Sequence, residues 1–332
     1  MEDIDVVLLW VDNTDPVWQE KILKYKSNTT FKFRGEEFRD WDILKYWFRG
    51  IEKFMPWVRT IHFVTDHQVP EWLDIDNPRI HHVNHEDILP PEILPVFNSS
   101  VIETHINKIE GLSEHFIYFN DDMFVTKETS PEFFFKNGLP KDMLAFQPVV
   151  ANESNPSMPY IFLNDAMVLA RHFKKYDNVK KQPFKYFHVG YPIKYFCYNF
   201  LELAFPRFTG FYSAHCPAPF LKSVWDEVWK EEPEVFEAMN TSRFRSRIDV
   251  NQYLFREWGK LSGKFVPSNV HKGFRYIETN CGIDKICNYV KNKKQNTICI
   301  NDSILEEDFE TASREIKAAF ESILPEKSSF ER

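Results

Sequence analysis

The sequence predicts an α/β fold, with a Rossmann-like sheet flanked by helices, and three observations carry that expectation. Residues 4–10, IDVVLLW, are apolar and rich in β-branched side chains, the pattern of a parallel strand covered on both faces. Residues 116–119, FIYF, form a second such run that breaks at Asn120-Asp121-Asp122 and turns apolar again at Met123-Phe124-Val125. Between the two, strand-like and helix-periodic segments alternate, as they do in α/β domains.

The first strand ends in Val11-Asp12-Asn13-Thr14-Asp15-Pro16, and a helix is expected to open near Pro16. Ligands of open α/β sheets sit beyond the carboxyl ends of the strands. Asp12 and Asp15 therefore either face a nucleotide or shape the turn. Residues 25–37 are polar and basic and read as a flexible loop over a site. From Arg39 onward, Trp41, Leu44, Trp47, Phe48 and Ile51 recur at helical spacing. Residues 61–66 read as a second strand and 79–83 as a short third. Asn98-Ser99-Ser100 is an N-cap cluster for a helix over 100–109. Glu103 and His105 lie on that helix, and His105 reads as a wet-surface histidine rather than a ligand. Segments 219–239 and 246–261 read as helices, 297–300 as a short strand and 306–324 as an amphipathic helix. Without repeats or low-complexity linkers, residues 1–332 read as one unit. Its parts are a Rossmann-like half (1–150), a largely helical insertion (151–296) and a closing strand and helix (297–332).

The chain has 332 residues, 43% hydrophobic and 27% charged, an ordinary composition with ample material for a core. Its net charge of −8 lacks the basic footprint of a nucleic-acid binder. Thirty-two Phe bring aromatics to 16%, enough for a core and for stacking surfaces. Cys197, Cys216, Cys281, Cys287 and Cys299 contain no CxxC pair and read as buried free thiols of a reducing compartment. The N-terminus lacks the basic region of a signal peptide, and no uncharged apolar window is long enough to span a bilayer, so a cytoplasmic protein is expected. Residues 171–194 are locally basic and aromatic. They suit an anionic membrane surface, a phosphorylated substrate or a solvated helix face.

Adjacent carboxylates at the end of a buried strand repel each other unless something positive lies between them. Mg²⁺ or Mn²⁺ accepts such oxygen ligands and leaves positions for phosphate; a solvated turn is the plain alternative. Asn301-Asp302 repeats the arrangement after an apolar strand, and its spacing does not fit an EF-hand. His215 follows the aromatic run Phe208–Tyr212 and is a candidate general base. Arg243, Arg245 and Arg247 cluster beside Asp249 and read either as phosphate-oxygen donors or as an exposed charge cluster.

Together these segments resemble the Stealth family of sugar-1-phosphate transferases, in four blocks that occur in order. They are IDVVLLWVDNTDP (4–16), the long stretch from Phe38 through FNSSVIETHINKIEGLSEHFIYFNDDMFV, FTGFYSAHCPAPF (208–220) and CINDSI (299–304). Leu8-Leu9 stand where a Tyr-Thr pair is common in the first block. The resemblance implies a GT-A-like nucleotide-sugar-binding sheet. It also implies a metal and diphosphate site at Asp121, Asp122, Asn301 and Asp302, with Mg²⁺ or Mn²⁺ as cofactor. Nucleotide-sugar contacts would come from Trp10, Asp12, Asp15, Arg39, Asn120 and Asp121. The catalytic set would be His215 as base, Arg245 on the phosphate oxygens and Asp122. The implied reaction moves a sugar-1-phosphate from a UDP-sugar to a hydroxyl of a glycan acceptor, which can be lipid-linked, and releases UMP in capsule or cell-surface polysaccharide synthesis. With such an acceptor, 171–194 would hold the protein at the inner face of the membrane. The rivals are a metal-dependent glycosyltransferase that releases UDP and a non-catalytic carbohydrate-binding or assembly subunit.

Overall fold

The structure is a computed structural model, and it describes residues 2–26, 39–152, 155 and 157–332. Its strands are β1 (Ile4–Leu9), β2 (Ile61–Thr65), β3 (Ile80–Asn84), β4 (His115–Asn120), β5 (Met123–Val125), β6 (Phe135–Lys136), β7 (Leu139–Asp142), β8 (Ala218–Leu221), β9 (Val266–Pro267), β10 (Phe274–Glu278) and β11 (Thr297–Asn301). The central sheet runs β3-β2-β1-β4-β8. Its first four strands are parallel, and β8 closes the edge antiparallel to β4. This is the predicted α/β fold.

Strand periodicity divides the core. Ile117 and Phe119 of β4 face one layer, whereas Phe116 and Tyr118 face the other. The helix Leu44–Phe54 covers the first face, with Trp47 edge-on to Phe119 at 5.5 Å. The helices Lys222–Glu231 and Gln252–Leu261 cover the second, where Trp225 stacks on Phe255 at 4.1 Å. The one carboxylate inside β1, Asp5, is buried but matched. Arg59 reaches both its oxygens, at 2.8 and 2.5 Å, and His62 Nε2 lies 3.1 Å away.

A second sheet, β10-β11-β5, takes up the chain at the turn after β4. Cys299 pairs with Met123, and the Ile300 amide donates to the Asp122 carbonyl at 2.8 Å. This pairing carries the second Asn-Asp sequence to the mouth of β4.

Several sequence expectations need correction. Residues 218–221 form β8 rather than the start of a helix, because pairing with β4 outweighs local propensity and an edge strand tolerates Pro219. The helices follow at Lys222–Glu231 and Pro233–Met239, and the next begins at Gln252, where the Asn251 side chain caps it. The helix expected over 100–109 ends at Thr104 and continues as a 3₁₀ turn, Ile106–Lys108. His105 is buried, not wet: its Nδ1 lies 2.9 Å from the Val101 carbonyl and its ring packs on Trp229. That burial pushes its pKa down to about 4. All five cysteines are free, but Cys197 and Cys281 are exposed, which corrects the expectation of burial for those two. Of the loop expected at 25–37, Tyr25 and Lys26 end the helix Pro16–Lys26, and 27–37 lie outside the described residues. No helix among the described residues is long and apolar enough to cross a membrane.

Candidate active site

The carboxyl ends of β1 and β4 and the tip of β11 open into one cleft of about 510 Å³. Trp10, Arg39, Asn120, Asp121, Asp122, His215, Arg245, Asn301 and Asp302 all line it. Nine of the eleven residues singled out from the sequence are thus brought together from six segments. Asp12 and Asp15 are the exceptions. Asp12 Oδ1 accepts from the Thr14 amide and hydroxyl, at 2.8 and 2.6 Å, and shapes the turn. Asp15 accepts from the Val17 amide and the Gln68 side chain, both at 2.9 Å, and so anchors the helix that follows. Both hold the turn, and neither lines the cleft.

The centre of the cleft is a dyad. His215 Nε2 lies 3.2 Å from Asp122 Oδ2, and its Nδ1 lies 3.2 Å from the Tyr253 hydroxyl. Burial alone would lower the His215 pKa, but the Asp122 carboxylate outweighs it and the net shift is upward. A carboxylate facing Nε2 selects the tautomer with the proton on that nitrogen. The lone pair then resides on Nδ1, where the Tyr253 hydroxyl donates. Cys299 Sγ also donates to Asp122 Oδ2, at 3.1 Å. Asp122, His215 and Cys299 are the only cluster of three metal-capable side chains found among the described residues.

The two oxygens of Asp122 differ. Oδ2 accepts both of these contacts, while Oδ1 is buried without a hydrogen-bond partner. Asp121 projects into the cleft, and its pKa is pushed up to about 7, first by withdrawal from bulk water, then by the charges of Asp122 and Asp40. An unpartnered buried carboxylate oxygen beside a strained acidic pair fits a hard divalent cation. Asp302 is held differently. Trp41 Nε1 donates to its Oδ2 at 3.2 Å, Arg39 Nε lies 3.4 Å from the same oxygen, and the Ile304 amide donates to Oδ1. Arg39 also reaches Glu306 at 3.5 Å and covers the Phe309 ring. It thus ties the C-terminal segment to the cleft wall.

Beside Trp10 the cleft opens into a smaller apolar pocket of about 180 Å³ between the ends of β1 and β2. Leu9, Val64, Phe97 and Ile102 form its walls, and Arg245, Asn120 and Asp121 border both spaces. Arg245 Nη2 donates to Ser99 Oγ at 3.4 Å. Glu103 also lines this pocket, its pKa raised to about 6 chiefly by burial. On the other side of His215 a groove passes Tyr212, His271 and Tyr276. His215 and Tyr276 line both this groove and the main cleft.

Sequence reasoning missed Tyr253, Cys299, Glu103 and Tyr276. For Cys299 a signal existed, since strand alternation puts it on the same side of β11 as Asn301. The other three carry no local mark.

The chain is similar to known proteins along its whole length. The family model for Stealth protein CR1, conserved region 1, matches residues 2–30, and that for Stealth protein CR2, conserved region 2, matches residues 37–142. The capsular polysaccharide phosphotransferase WcwK of Streptococcus pneumoniae is 37% identical, over 100% of this chain and 99% of its own. The exopolysaccharide phosphotransferase cps2G of Lactiplantibacillus plantarum is 38% identical, covering 99% and 96%. The receptor polysaccharide phosphotransferase WefC of Streptococcus gordonii is 39% identical, covering 100% and 99%. With relatives of this identity along its whole length, the chain belongs to the Stealth family of phosphotransferases.

Proposed function

We propose that the protein transfers a sugar-1-phosphate from a UDP-sugar to a hydroxyl of a glycan acceptor in capsule or cell-surface polysaccharide synthesis. The acceptor oxygen attacks the sugar-bearing β-phosphorus, the bond from that phosphorus to the bridging oxygen breaks, and UMP leaves with the electron pair. The product is a sugar–phosphate–sugar diester. The observation that carries this reading is the place of His215, which lines both the cleft that holds Asp121, Asp122 and Arg245 and the groove past Tyr212 and Tyr276.

In this reaction the acceptor hydroxyl hands its proton to His215 Nδ1, the nitrogen that the Tyr253 hydroxyl solvates in the structure. Asp122 holds the ring and supports its positive charge once formed. Arg245 binds non-bridging phosphate oxygens as their charge builds. Asp122 through Oδ1, with Asp121, would hold Mg²⁺ or Mn²⁺, and Asn301 and Asp302 border the same space. That cation, when bound, supplies neutralisation of diphosphate charge. The apolar pocket beside Trp10 suits a flat nucleobase, and the rings of Tyr212 and Tyr276 suit a sugar.

The acceptor is lipid-linked in this reading, and the protein works at the inner face of the membrane. The acceptor groove supports that view. Phe274 and Gln295 continue it into a cavity of about 570 Å³ bordered by Lys127, Lys141, Lys272 and Lys294. Among the described residues, none that is acidic lines that cavity. A diphosphate-carrying acceptor would find its counter-charge there.

The nucleotide product tests the reaction. Protein incubated with Mg²⁺ or Mn²⁺, a panel of UDP-sugars and a glycan acceptor extract should release UMP and form a phosphodiester. Release of UDP instead would make it a glycosyltransferase. Inertness toward every donor would favour a binding subunit.

A further inference from the structure

Amphipathic helices bury their apolar side chains and show polar ones to water. The helix Ile193–Glu202 does the reverse. It buries Tyr195, Asn199 and Glu202, and the two polar ones have built-in partners. Asn199 accepts from the Phe146 amide at 2.7 Å and donates to the Leu144 carbonyl at 3.0 Å. Glu202 pairs with the buried Lys175 at 3.2 Å. With 3.6 residues per turn, that leaves Ile193, Cys197 and Phe200 on the opposite side. Ile193 is 75% exposed, Phe200 66% and Leu201 63%.

The neighbouring turns extend this surface. Phe184 is 84% exposed and Val189 95%. Both belong to the same region of the fold, because the Phe187 ring packs on Phe196 at 5.3 Å. The Tyr176 hydroxyl, from the helix Lys175–Lys181, shares its proton between the carbonyls of Leu203 and Phe205, at 3.1 and 3.2 Å. Five large apolar side chains this open within eighteen residues form a patch that a monomer does not leave in water without a use. The same stretch carries exposed Lys174, Lys180, Lys181, Lys194 and Arg207 against one exposed acid, Asp177, a local positive excess on a chain of net charge −8.

We propose that this surface docks on an anionic lipid bilayer, with Ile193, Phe200 and Leu201 entering the headgroup–acyl boundary and the basic residues meeting lipid phosphates. Charge selects the bilayer over a second copy of the chain. A two-fold contact would set the positive excess against itself, whereas an anionic leaflet complements it. The inference rests on the reading that the acceptor comes from a membrane. The sequence expectation placed the membrane contact at 171–194; in this proposal that stretch supplies most of the basic residues, and the inserting element lies largely beyond it.

The test is flotation of the full chain with vesicles of phosphatidylcholine, with and without phosphatidylglycerol. Wild-type protein is expected to float with the phosphatidylglycerol vesicles and to lose only part of that binding as salt rises, because salt screens the basic residues but not the insertion. Phe200→Ser with Leu201→Ser is expected to weaken binding at least tenfold, from the apolar area no longer buried. Turnover of a lipid-free glycan acceptor should not change, which separates the surface from the chemistry. In a second variant, Phe200→Trp, the fluorescence should shift to the blue on adding vesicles. Equal flotation of wild type and the double variant, or no flotation of either, overturns the proposal. So does a wild-type dimer that the double variant dissociates. Vesicle binding is read without turnover, so a failed phosphotransfer assay leaves this result standing.

Discussion

Arg256 is the buried cation on which the His215 segment depends, and its removal has a calculable cost. Its Nε and Nη2 reach the two oxygens of Asp142 at 2.6 and 3.0 Å, and Nη1 donates to the Ala214 carbonyl at 2.7 Å. Both side chains are buried. Arg256→Met keeps much of the length and apolar volume but leaves the Asp142 carboxylate buried without its fork. Breaking one side of a buried pair costs about 3–5 kcal/mol, roughly two to three and a half powers of ten in the folding equilibrium. The nearby Lys260 cation, which also holds the Asp142 pKa down, places the expectation at the lower end. Asp142→Asn combined with Arg256→Met removes the orphaned charge and should recover at least half of the loss. The pH dependence should also invert. In the wild type, burial would raise the Asp142 pKa but Arg256 and Lys260 hold it down, so its stabilising contribution disappears as pH falls. Without Arg256 burial dominates and the pKa rises, so the single variant should gain stability as pH falls toward 5. Urea unfolding at pH 7.5 and 5, followed by tryptophan fluorescence, reads all three. A single-variant loss under about 1 kcal/mol, or a double variant no better than the single, would refute the argument.

Two further outcomes follow from the same geometry. His215→Ala should lower turnover by about 10²–10⁴ while UDP-sugar binding, measured by calorimetry, stays within a few-fold. Unchanged turnover would remove His215 from the chemistry. Burial alone would raise the Asp5 pKa, but Arg59, His62 and the Ser113 amide hold it far below its ordinary 3.8. Its contribution is therefore complete above that value and lost as pH falls below it. Asp5→Asn should be less stable than wild type at neutral pH, with a shallower decline in acid. Parallel acid slopes in urea titrations would contradict this.

The sequence shows what depends on short-range pattern and hides what depends on partners. β1 and β4 were legible because a strand covered on both faces must be apolar throughout, and the Asn-Asp-Asp break marked its functional end. His215 and Arg245 could be singled out as residue types, but their meeting depends on β8 and the helix Gln252–Leu261, which place His215 beside Tyr253. Tyr253 itself looks like any aromatic of an amphipathic helix. The helix Ile193–Glu202 was not singled out in the sequence, for the opposite reason. Hydrophobic patterning assumes that apolar side chains turn inward, and here Asn199 and Glu202 join Tyr195 on the inward face because the Leu144 and Phe146 backbone and Lys175 await them.

The two aspartates that first drew attention do different work, and the turn between β4 and β5 is what separates them. Asp121 borders both the main cleft and the apolar pocket beside Trp10, whereas Asp122 lines the cleft alone and turns toward His215. In the proposed reaction the first belongs to the donor side, and the second links donor and base through its two oxygens. Neither can then replace the other. Asp121→Asn removes one charge from a repelling pair and leaves the dyad intact. Asp122→Asn offers an amide where His215 Nε2 needs an acceptor, and it disturbs proton transfer and cation binding together. The loss of turnover should therefore be larger at Asp122 than at Asp121, and equal losses would show that the pair acts only through its combined charge.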